Sequence, residues 1–159
     1  MKMVTDMKIL VFSDSHGYLG HMMEAVEKEN PDHIFFLGDH YRDALELAEI
    51  YPDIPVTAVR GNCDWGSGPE EEEVMLSGVR FLLTHGHRYG CKAGYGGLIS
   101  EGCRRGVDVV CFGHTHQALH VQADEKLWLF NPGTAGGIHN REGYGVLFAE
   151  HGKVNGRLL

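Results

Sequence analysis

Histidine, aspartate and asparagine occur along the chain in short clusters, and 11 of the 159 residues are histidine. Imidazole and carboxylate side chains together suit Mn²⁺, Fe, Zn²⁺, Ni²⁺ or Co²⁺ better than Ca²⁺ or an ion that prefers thiolate. Each cluster alone is typical of a polar loop, whereas their joint, ordered occurrence predicts a metal centre. The clusters are Asp14-x-His16, Gly38-Asp39, Gly61-Asn62-Cys63-Asp64, Thr84-His85-Gly86-His87 and Gly113-His114-Thr115-His116.

Each cluster directly follows an apolar run that predicts a β-strand. The carboxyl ends of strands in an α/β fold meet at one rim of the sheet, so side chains that follow different strands can converge there. The candidate ligands are too numerous for one ion but suit two ions that share a carboxylate. The strands are predicted over Met7–Phe12, His33–Leu37, Ile54–Val59, Val79–Thr84 and Val107–Phe112.

A pair of divalent cations in such a site supplies a defined chemistry. Cations about 3.5–4 Å apart acidify a bridging water and hold an ester phosphate for in-line attack. The residue types therefore predict hydrolysis of a phosphate ester by a hydroxide that bridges two divalent metals. Glycines beside the candidate ligands permit tight turns and close approach of the backbone.

The remaining pattern predicts an α/β fold with strands that are at least partly parallel, because helices alternate with the first three strands. We expect one domain, residues 1–159, with two packed mixed sheets flanked by helices. An acidic run from Glu70 to Glu73 is expected to be solvated. Helices are predicted over Leu19–Val26, Ala44–Tyr51 and Leu98–Arg105, a hairpin over Glu72–Leu76 and Val79–Thr84, and a β meander from Ala118 to Leu158.

Composition argues against several classes of protein. The formal net charge of −8 is unlike that of a general nucleic-acid binder, which needs a basic surface. The four cysteines form no C-x-x-C pair, and no apolar run has the form of a signal peptide or a membrane span. We therefore expect a cytoplasmic protein with reduced thiols, a small phosphate-ester substrate and no membrane association. The sequence leaves open homo-oligomerisation, and whether Met1 or Met7 is the natural start.

In order and spacing, these motifs resemble those of the calcineurin-like metallophosphoesterase superfamily. Gly61-Asn62-Cys63-Asp64, Thr84-His85-Gly86-His87 and Asn131-Pro132-Gly133-Thr134 are similar to its YfcE-like phosphodiesterase subgroup. The resemblance extends from Ile9 to about Phe148. It implies a four-layer fold, which is a β-sandwich flanked by helices, and a phosphodiesterase activity.

The resemblance also implies two divalent cations, with Mn²⁺ favoured and Zn²⁺, Ni²⁺, Fe or Co²⁺ as alternatives. Asp39 would bridge the two cations, and Asn62 would also contact the substrate phosphate. One cation would be bound by Asp14, His16, Asp39 and His116. The other would be bound by Asp39, Asn62, His85 and His114.

Two positions depart from the superfamily pattern. Many members have a histidine after Gly-Asn that is thought to assist the leaving group, whereas this chain has Cys63, and a thiol is a poor substitute for imidazole. Asn62, Cys63 and Asp64 are the candidate catalytic residues. The superfamily also often has Gly-Asp-x-x-Asp, but the second carboxylate here, Asp43, comes one residue later and is expected to be a helix cap or a surface charge.

Other residues have less specific interpretations. His87 is a candidate for substrate binding, with a plain loop residue as the alternative. Arg141 could reach an anionic substrate but is expected to lie on the surface, and Trp65 could line the substrate cleft or cover the edge of the sandwich. The remaining histidines are expected to be structural or exposed: His21, His33, His40, His120, His139 and His151.

Two other functions are compatible with the sequence. A phosphomonoesterase could use the same metals, because the groups beyond the metals decide between monoesters and diesters. A non-catalytic metal-binding scaffold is the second alternative, as in the retromer scaffold subunit, which resembles this fold but has lost catalytic capacity. Competent residues at every ligand position argue against a scaffold, and Cys63 keeps that alternative open.

Overall fold

The computed structural model of the chain describes residues 6–17, 19–66, 68–136 and 143–159. The helices in these residues are α1 (Leu19–Glu29), α2 (Tyr41–Ile50) and α3 (Gly96–Arg105), with a 3₁₀ turn at His87–Tyr89. The strands are β1 (Asp6–Phe12), β2 (His33–Phe36), β3 (Val56–Ala58), β4 (Glu71–Leu76), β5 (Val79–Thr84), β6 (Val109–Cys111), β7 (Leu119–Gln122), β8 (Trp128–Asn131), β9 (Gly145–Glu150) and β10 (Lys153–Leu158).

These strands form two mixed sheets, ordered β10-β9-β1-β2-β3 and β4-β5-β6-β8-β7. Parallel strands lie side by side within each sheet: β1, β2 and β3 in the first, and β5, β6 and β8 in the second. The carboxyl ends of each parallel set therefore share one edge, from which the predicted ligand loops leave. Within the first sheet, the backbone N–H of Leu37 donates to Phe12 O. Between the sheets, the backbone N–H of His114 donates to Asp14 Oδ2.

The side chains of β1 show why the sheets need a layer on each face. Successive strand residues point to opposite faces. Ile9 and Val11 therefore face the apolar cluster between the two sheets, whereas Leu10 and Phe12 face a second cluster beneath α1 and α2. All four of these side chains are buried.

The outer layers complete the arrangement. Met22 of α1 and Leu47 of α2 pack on the outer face of the first sheet. Leu98 of α3 packs with Val110 on the outer face of the second. The order is helix, sheet, sheet, helix, so the predicted four-layer fold is confirmed.

The segment from Ala118 to Leu158 is not one meander. β7 and β8 form a hairpin in the second sheet, whereas β9 and β10 form a hairpin in the first. β8 is parallel to β6, and β9 is antiparallel to β1. The prediction of a single meander is therefore wrong, because apolar alternation indicates a strand without indicating the sheet it joins.

The acidic segment before β5 is paired rather than solvated. Glu70 accepts a hydrogen bond from Arg60 Nη2 (2.7 Å), and Glu71 lies in β4 with its Oε1 3.1 Å from Arg105 Nη2. The prediction of a solvated run over residues 70–73 is wrong for these two glutamates, because arginines from neighbouring elements reach them.

A buried glutamate fastens α1 to the edge of the first sheet. Glu29 accepts a hydrogen bond from Tyr144 Oη (2.7 Å) and lies 3.2 Å from both Lys8 Nζ and Arg157 Nη2. Burial by itself would raise the pKa of Glu29, but the Tyr144 hydrogen bond and the two cations hold that pKa below its usual value of 4.5. Its stabilising effect is therefore present above pH 4.5 and is lost as the pH falls through the lowered folded-state pKa.

We expect Glu29→Gln to lower the free energy of unfolding by about 1–3 kcal/mol at pH 7, because hydrogen bonds to a charged group are lost. The deficit relative to the wild type should shrink at pH 3, where both states of the wild type approach protonation. Urea unfolding at the two pH values measures this effect, with Glu46→Gln on the exposed face of α2 as the control. An equal deficit at both pH values would contradict the assignment.

Candidate metal centre

The carboxylate of Asp14 lies at the centre of the predicted ligands. Asp14 follows β1, is fully buried, and its backbone N–H donates to Gly38 O (2.9 Å). Its Oδ2 accepts hydrogen bonds from Ser13 Oγ (2.5 Å) and from the backbone N–H of His114 (3.1 Å). Its Oδ1 is buried, accepts no hydrogen bond and lies 3.2 Å from His116 Nε2. A buried carboxylate oxygen without a donor is costly, and a bound cation would satisfy it.

Two groups of possible ligand atoms share this carboxylate, and the atoms within each group all lie within 4.8 Å of one another. In the first group, Asp14 is joined by His16 and His116, whose Nε2 atoms are 3.5 Å apart. In the second group it is joined by Asp39 and His85, where His85 Nε2 is 3.4 Å from Asp39 Oδ1. Atoms that bind one ion at about 2.0–2.2 Å are roughly 3–4 Å apart, so both groups fit a divalent cation.

The two remaining predicted ligands lie beside the second group. His114 Nδ1 is 3.2 Å from His85 Nε2. Asn62 lies in the loop that follows β3 and is exposed. Its Nδ2 is 3.6 Å from Cys63 Sγ. The histidines and carboxylates therefore converge, whereas the Asn62 amide stands on the solvent side of the site.

The shared carboxylate differs from the one that the resemblance implies as the bridge. Asp14 belongs to both groups, whereas Asp39 belongs to the second. Asp39 nevertheless lies centrally, because it follows β2 and β2 lies between β1 and β3 in the sheet. The bridging role of Asp39 stays a prediction.

The ligand residues have an unusual backbone conformation. Their φ angles lie between 51° and 68° at Asp14, His16, Asp39, His114 and His116. Residues other than glycine rarely adopt this left-handed region, which costs on the order of 1–3 kcal/mol per residue. Such strain persists only where surrounding contacts over-determine it, and it clusters at functional sites.

Asp64 is one source of those contacts. Its Oδ2 accepts hydrogen bonds from the backbone N–H groups of Asp39 (3.0 Å) and Gly61 (2.8 Å). Its Oδ1 accepts those of His40 (2.7 Å) and Tyr41 (2.9 Å), where α2 begins with unpaired N–H groups. Asp64 therefore positions Asp39, and these contacts give it a structural task beside the catalytic role predicted for it.

Asp43 has a similar task in the first ligand loop. It is buried in the first turn of α2, and its Oδ2 accepts hydrogen bonds from Ser15 Oγ (2.6 Å) and the backbone N–H of Gly17 (2.9 Å). The expectation of a surface charge is therefore wrong. Asp43 holds the loop on both sides of His16 through these two hydrogen bonds.

The Asn131-Pro132-Gly133-Thr134 segment contacts two ligand loops, the one around His114 and the one that begins at Asp14. Asn131 is fully buried, and its Nδ2 donates to Gly113 O (3.1 Å) and Thr115 Oγ1 (3.0 Å). Thr134 Oγ1 donates to Asp14 O (2.8 Å). These residues were quoted for the resemblance alone, and the sequence pattern gave no sign of what they contact.

The close packing of the ligand side chains shifts the pKa values of several of them. Burial by itself would raise the pKa of Asp39, but the hydrogen bond and charge of His85, with the Cys63 N–H, lower it. Burial by itself would lower the pKa of His85, but Asp39 and Asp14 raise it. Burial and the nearby His85 lower the pKa of His114. Asp39 is therefore held as a carboxylate, which is the form that binds a cation.

Comparison with known proteins agrees with this geometry. Residues 7–153 match the model of the calcineurin-like phosphoesterase superfamily domain. The chain belongs to this superfamily. It is 32% identical to the probable metallophosphoesterase YsnB of Bacillus subtilis, over 91% of this chain and 86% of that one. It is 30% identical to the phosphodiesterase YfcE of Escherichia coli, over 89% of this chain and 87% of that one.

Solved structures agree on the fold. A predicted phosphoesterase from Streptococcus pneumoniae superposes with a TM-score of 0.80 at 22% identity, over 97% of this chain and 89% of that one. Vacuolar Protein Sorting 29 from Cryptosporidium parvum superposes with a TM-score of 0.78 at 18% identity, over 97% of both chains. The expected relation to the YfcE-like calcineurin-like phosphoesterases is confirmed.

Cys63 occupies the position where the resemblance to the superfamily implies a histidine. Its backbone N–H donates to Asp39 Oδ1 (3.0 Å), so the residue helps to hold a ligand. Partial desolvation and the carboxylate of Asp39 raise the pKa of the Cys63 thiol. The side chain is therefore a neutral thiol at pH 7, and its catalytic role stays a prediction.

His87 lies close to the ligands. Its ring centroid is 5.6 Å from that of His85 and 6.1 Å from that of His114. Its Nδ1 is buried without a hydrogen-bond partner, and burial with the nearby His85 lowers its pKa. Because the unpaired nitrogen is itself buried, it does not support the substrate-binding role of His87, which stays a prediction.

The other singled-out residues are distributed over the molecule. Trp65 is 97% exposed, so it does not cover the edge of the sandwich. His33 is buried, with Nε2 2.8 Å from Thr57 Oγ1, and His120 packs on Trp128 with ring centroids 4.8 Å apart. Arg141 and His139 lie outside the described residues.

We expect Gly61→Ala to remove metal binding at the second ligand group. A Cβ at Gly61 would lie 2.2 Å from Asp39 Oδ1 and 2.5 Å from Asp39 N, so the carboxylate must move. Metal content per chain, measured on purified protein by mass spectrometry, should fall, with unfolding destabilised by about 1–3 kcal/mol.

The matched control is Gly20→Ala on α1, because a Cβ there meets nothing within 4 Å. This variant should bind metal as the wild type does. Full metal content in Gly61→Ala would show that the loop can yield without disturbing Asp39.

Proposed function

We propose that the chain is a dinuclear metal-dependent phosphodiesterase, most active with Mn²⁺. The observation that carries the proposal is the pair of ligand groups that share the buried carboxylate of Asp14, whose Oδ1 accepts no hydrogen bond. When bound, two divalent cations would supply an acidified water as nucleophile and positive charge for the phosphate. Zn²⁺, Ni²⁺, Fe and Co²⁺ are alternatives with the same ligand preference.

The protein's own groups have separate tasks in this proposal. Asp14, Asp39 and the ligand histidines would hold the cations. Asn62 is exposed, and its Nδ2 could donate to a phosphate oxygen; His87 lies beside the ligands and is proposed to contact the phosphate as well. The Cys63 thiol is a weak proton donor, so substrates whose leaving groups depart without protonation should react fastest.

The preference for diesters rests on the relatives. YfcE, which is 30% identical to this chain, is named a phosphodiesterase, and so is the 26% identical MJ0936 of Methanocaldococcus jannaschii. A phosphomonoesterase would use the same ligands, so the comparison of monoester with diester substrates decides between the two.

The proposal also covers the size of the substrate, the cellular location, the domain organisation and the oligomeric state. A small phosphate ester, a cytoplasmic location and one domain over residues 1–159 are proposed, with homo-oligomerisation left to measurement. Of the helices in the part of the chain that the structure describes, none has the length and apolarity of a membrane span.

We expect chelator-treated protein to lose hydrolysis of bis(p-nitrophenyl) phosphate and to regain it with Mn²⁺, because the ligand set has no other means of activating water. The restored enzyme should have a higher kcat/KM for this diester than for p-nitrophenyl phosphate. Turnover assays with each metal restored in turn measure both effects.

Full activity after chelation would refute the metal requirement, provided that mass spectrometry verifies removal of the metal. A higher kcat/KM for the monoester would show that the protein is a phosphomonoesterase and not a phosphodiesterase. Metal binding without turnover of either substrate would favour the scaffold.

The bridging carboxylate can be identified by charge removal. Two close cations repel strongly, so an anion between them is required. We expect Asp39→Asn to lower metal content at both groups and to abolish turnover, whereas Asp14→Asn should leave the second cation partly bound. Metal per chain and a structure of each variant measure this.

The control for that experiment is His114→Ala, which removes a ligand of one cation only. It should mainly empty the site near Asn62 and leave the cation at His16 and His116 partly bound. Loss of both metals in Asp14→Asn with retention of one in Asp39→Asn would assign the bridge to Asp14, the carboxylate common to both groups.

A further inference from the structure

Two arginines and one glutamate form a cluster at the border of the metal centre. Glu70 Oε1 accepts a hydrogen bond from Arg60 Nη2 (2.7 Å), and Glu70 Oε2 accepts one from Arg88 Nη1 (2.5 Å). We refer to these residues as the Arg60–Glu70–Arg88 cluster. None of the three belongs to the two ligand groups.

Strand pairing locates this cluster. β4 and β5 are antiparallel, and Glu71 is paired with Thr84. Glu70 directly precedes β4 and His85 directly follows β5, so both residues lie at the same end of this hairpin. The cluster therefore lies at the end of the hairpin from which a metal ligand leaves.

Chain connectivity places both arginines at the same border. Arg60 directly precedes Gly61 and Asn62, and its backbone N–H donates to Pro69 O (2.8 Å). Arg88 directly follows His87, whose ring centroid is 5.6 Å from that of His85. Both guanidinium groups thus arise from loops that also carry predicted ligands or substrate contacts.

The cluster keeps unused binding capacity. One carboxylate faces two guanidinium groups, so the cluster has a net positive charge in a chain whose formal charge is −8. The Arg88 side chain is 57% exposed and the Arg60 side chain is 32% exposed, so both can be reached from solvent. A guanidinium has five N–H donors in a planar fork that matches the oxygens of phosphate.

We infer that the Arg60–Glu70–Arg88 cluster is a specificity subsite for a second phosphate group of the substrate, a group that is not itself hydrolysed. The inference rests on the proposed phosphodiesterase activity, because the scissile phosphate occupies the metal centre. Two guanidinium groups suit a dianionic terminal phosphate better than one guanidinium group would. Glu70 competes with that phosphate for both of them. The favoured substrates are therefore phosphodiesters or nucleotides that carry an additional terminal phosphate.

The experiment compares thymidine 3′,5′-bisphosphate with thymidine 5′-monophosphate as inhibitors of bis(p-nitrophenyl) phosphate hydrolysis by the Mn²⁺-loaded full chain. The bisphosphate should bind about tenfold more tightly or better, as expected for added charge-assisted hydrogen bonds. Arg88→Gln should bring the ratio of the two inhibition constants close to one. Glu70→Gln should increase the ratio, because the competing carboxylate is removed.

Arg104→Gln is the matched control, since Arg104 is an exposed arginine of α3 whose partner is Glu101. This variant should leave the ratio of the two inhibition constants unchanged. Because every variant is measured in the same solutions, any sequestration of Mn²⁺ by the inhibitors affects all variants equally and does not change their comparison. Arg60→Gln is a second variant that should lower the ratio as Arg88→Gln does.

Several outcomes would overturn the subsite. A wild-type ratio near one would do so, as would a ratio that Arg88→Gln and Arg60→Gln leave intact, or an equal fall in Arg104→Gln. Calorimetric titration of the bisphosphate into wild type and Arg88→Gln decides the question without turnover. Absence of diester hydrolysis with retained arginine-dependent binding would refute the proposed activity and leave the phosphate subsite standing.

Discussion

A buried carboxylate oxygen that accepts no hydrogen bond is the constraint on which the site depends. Asp14 Oδ1 lies between the two ligand groups, 3.2 Å from His116 Nε2 and 3.8 Å from His85 Nε2. The other oxygen of the same carboxylate is held by Ser13 and by the backbone of His114. The side chain cannot turn away without breaking those bonds, so its free oxygen is presented to the space where the imidazoles converge.

The rest of the fold offsets the free-energy cost of this arrangement. Five ligand residues have left-handed backbone, and contacts from distant parts of the chain hold the backbone of Asp14 and Asp39. The two sheets and the helices outside them supply the burial that offsets this strain, at side chains such as Phe35 and Phe81, whose ring centroids are 5.2 Å apart. The contacts that hold these loops would keep the ligands in place before a cation binds, so less order would have to be gained on binding.

The sequence predicted the elements and the ligand clusters well, because both depend on local pattern. Apolar runs marked the strands of both sheets, and glycine, histidine and aspartate marked the loops that follow them. Residues that act through distant partners gave no such pattern. Asp64 caps a helix that begins 23 residues earlier in the chain, and Thr134 donates to Asp14 across 120 positions. A short polar residue in a loop looks the same in sequence whether its partner is water or a buried backbone group, so these roles needed the structure.

Charge balance connects the site to the anion it is proposed to bind. Asp14 and Asp39 contribute two negative charges in a chain that is already acidic, and because the pKa of His114 is lowered while that of His85 is raised, the histidines compensate this charge only in part. These carboxylates alone would repel a phosphate ester. Divalent cations at both ligand groups would reverse the sign of the local field, so affinity for the anion must follow metal loading rather than precede it. Pairing with Glu70 leaves one net positive charge on the two arginines, which would repel bound cations less than two unpaired guanidinium groups would and would still attract a phosphate.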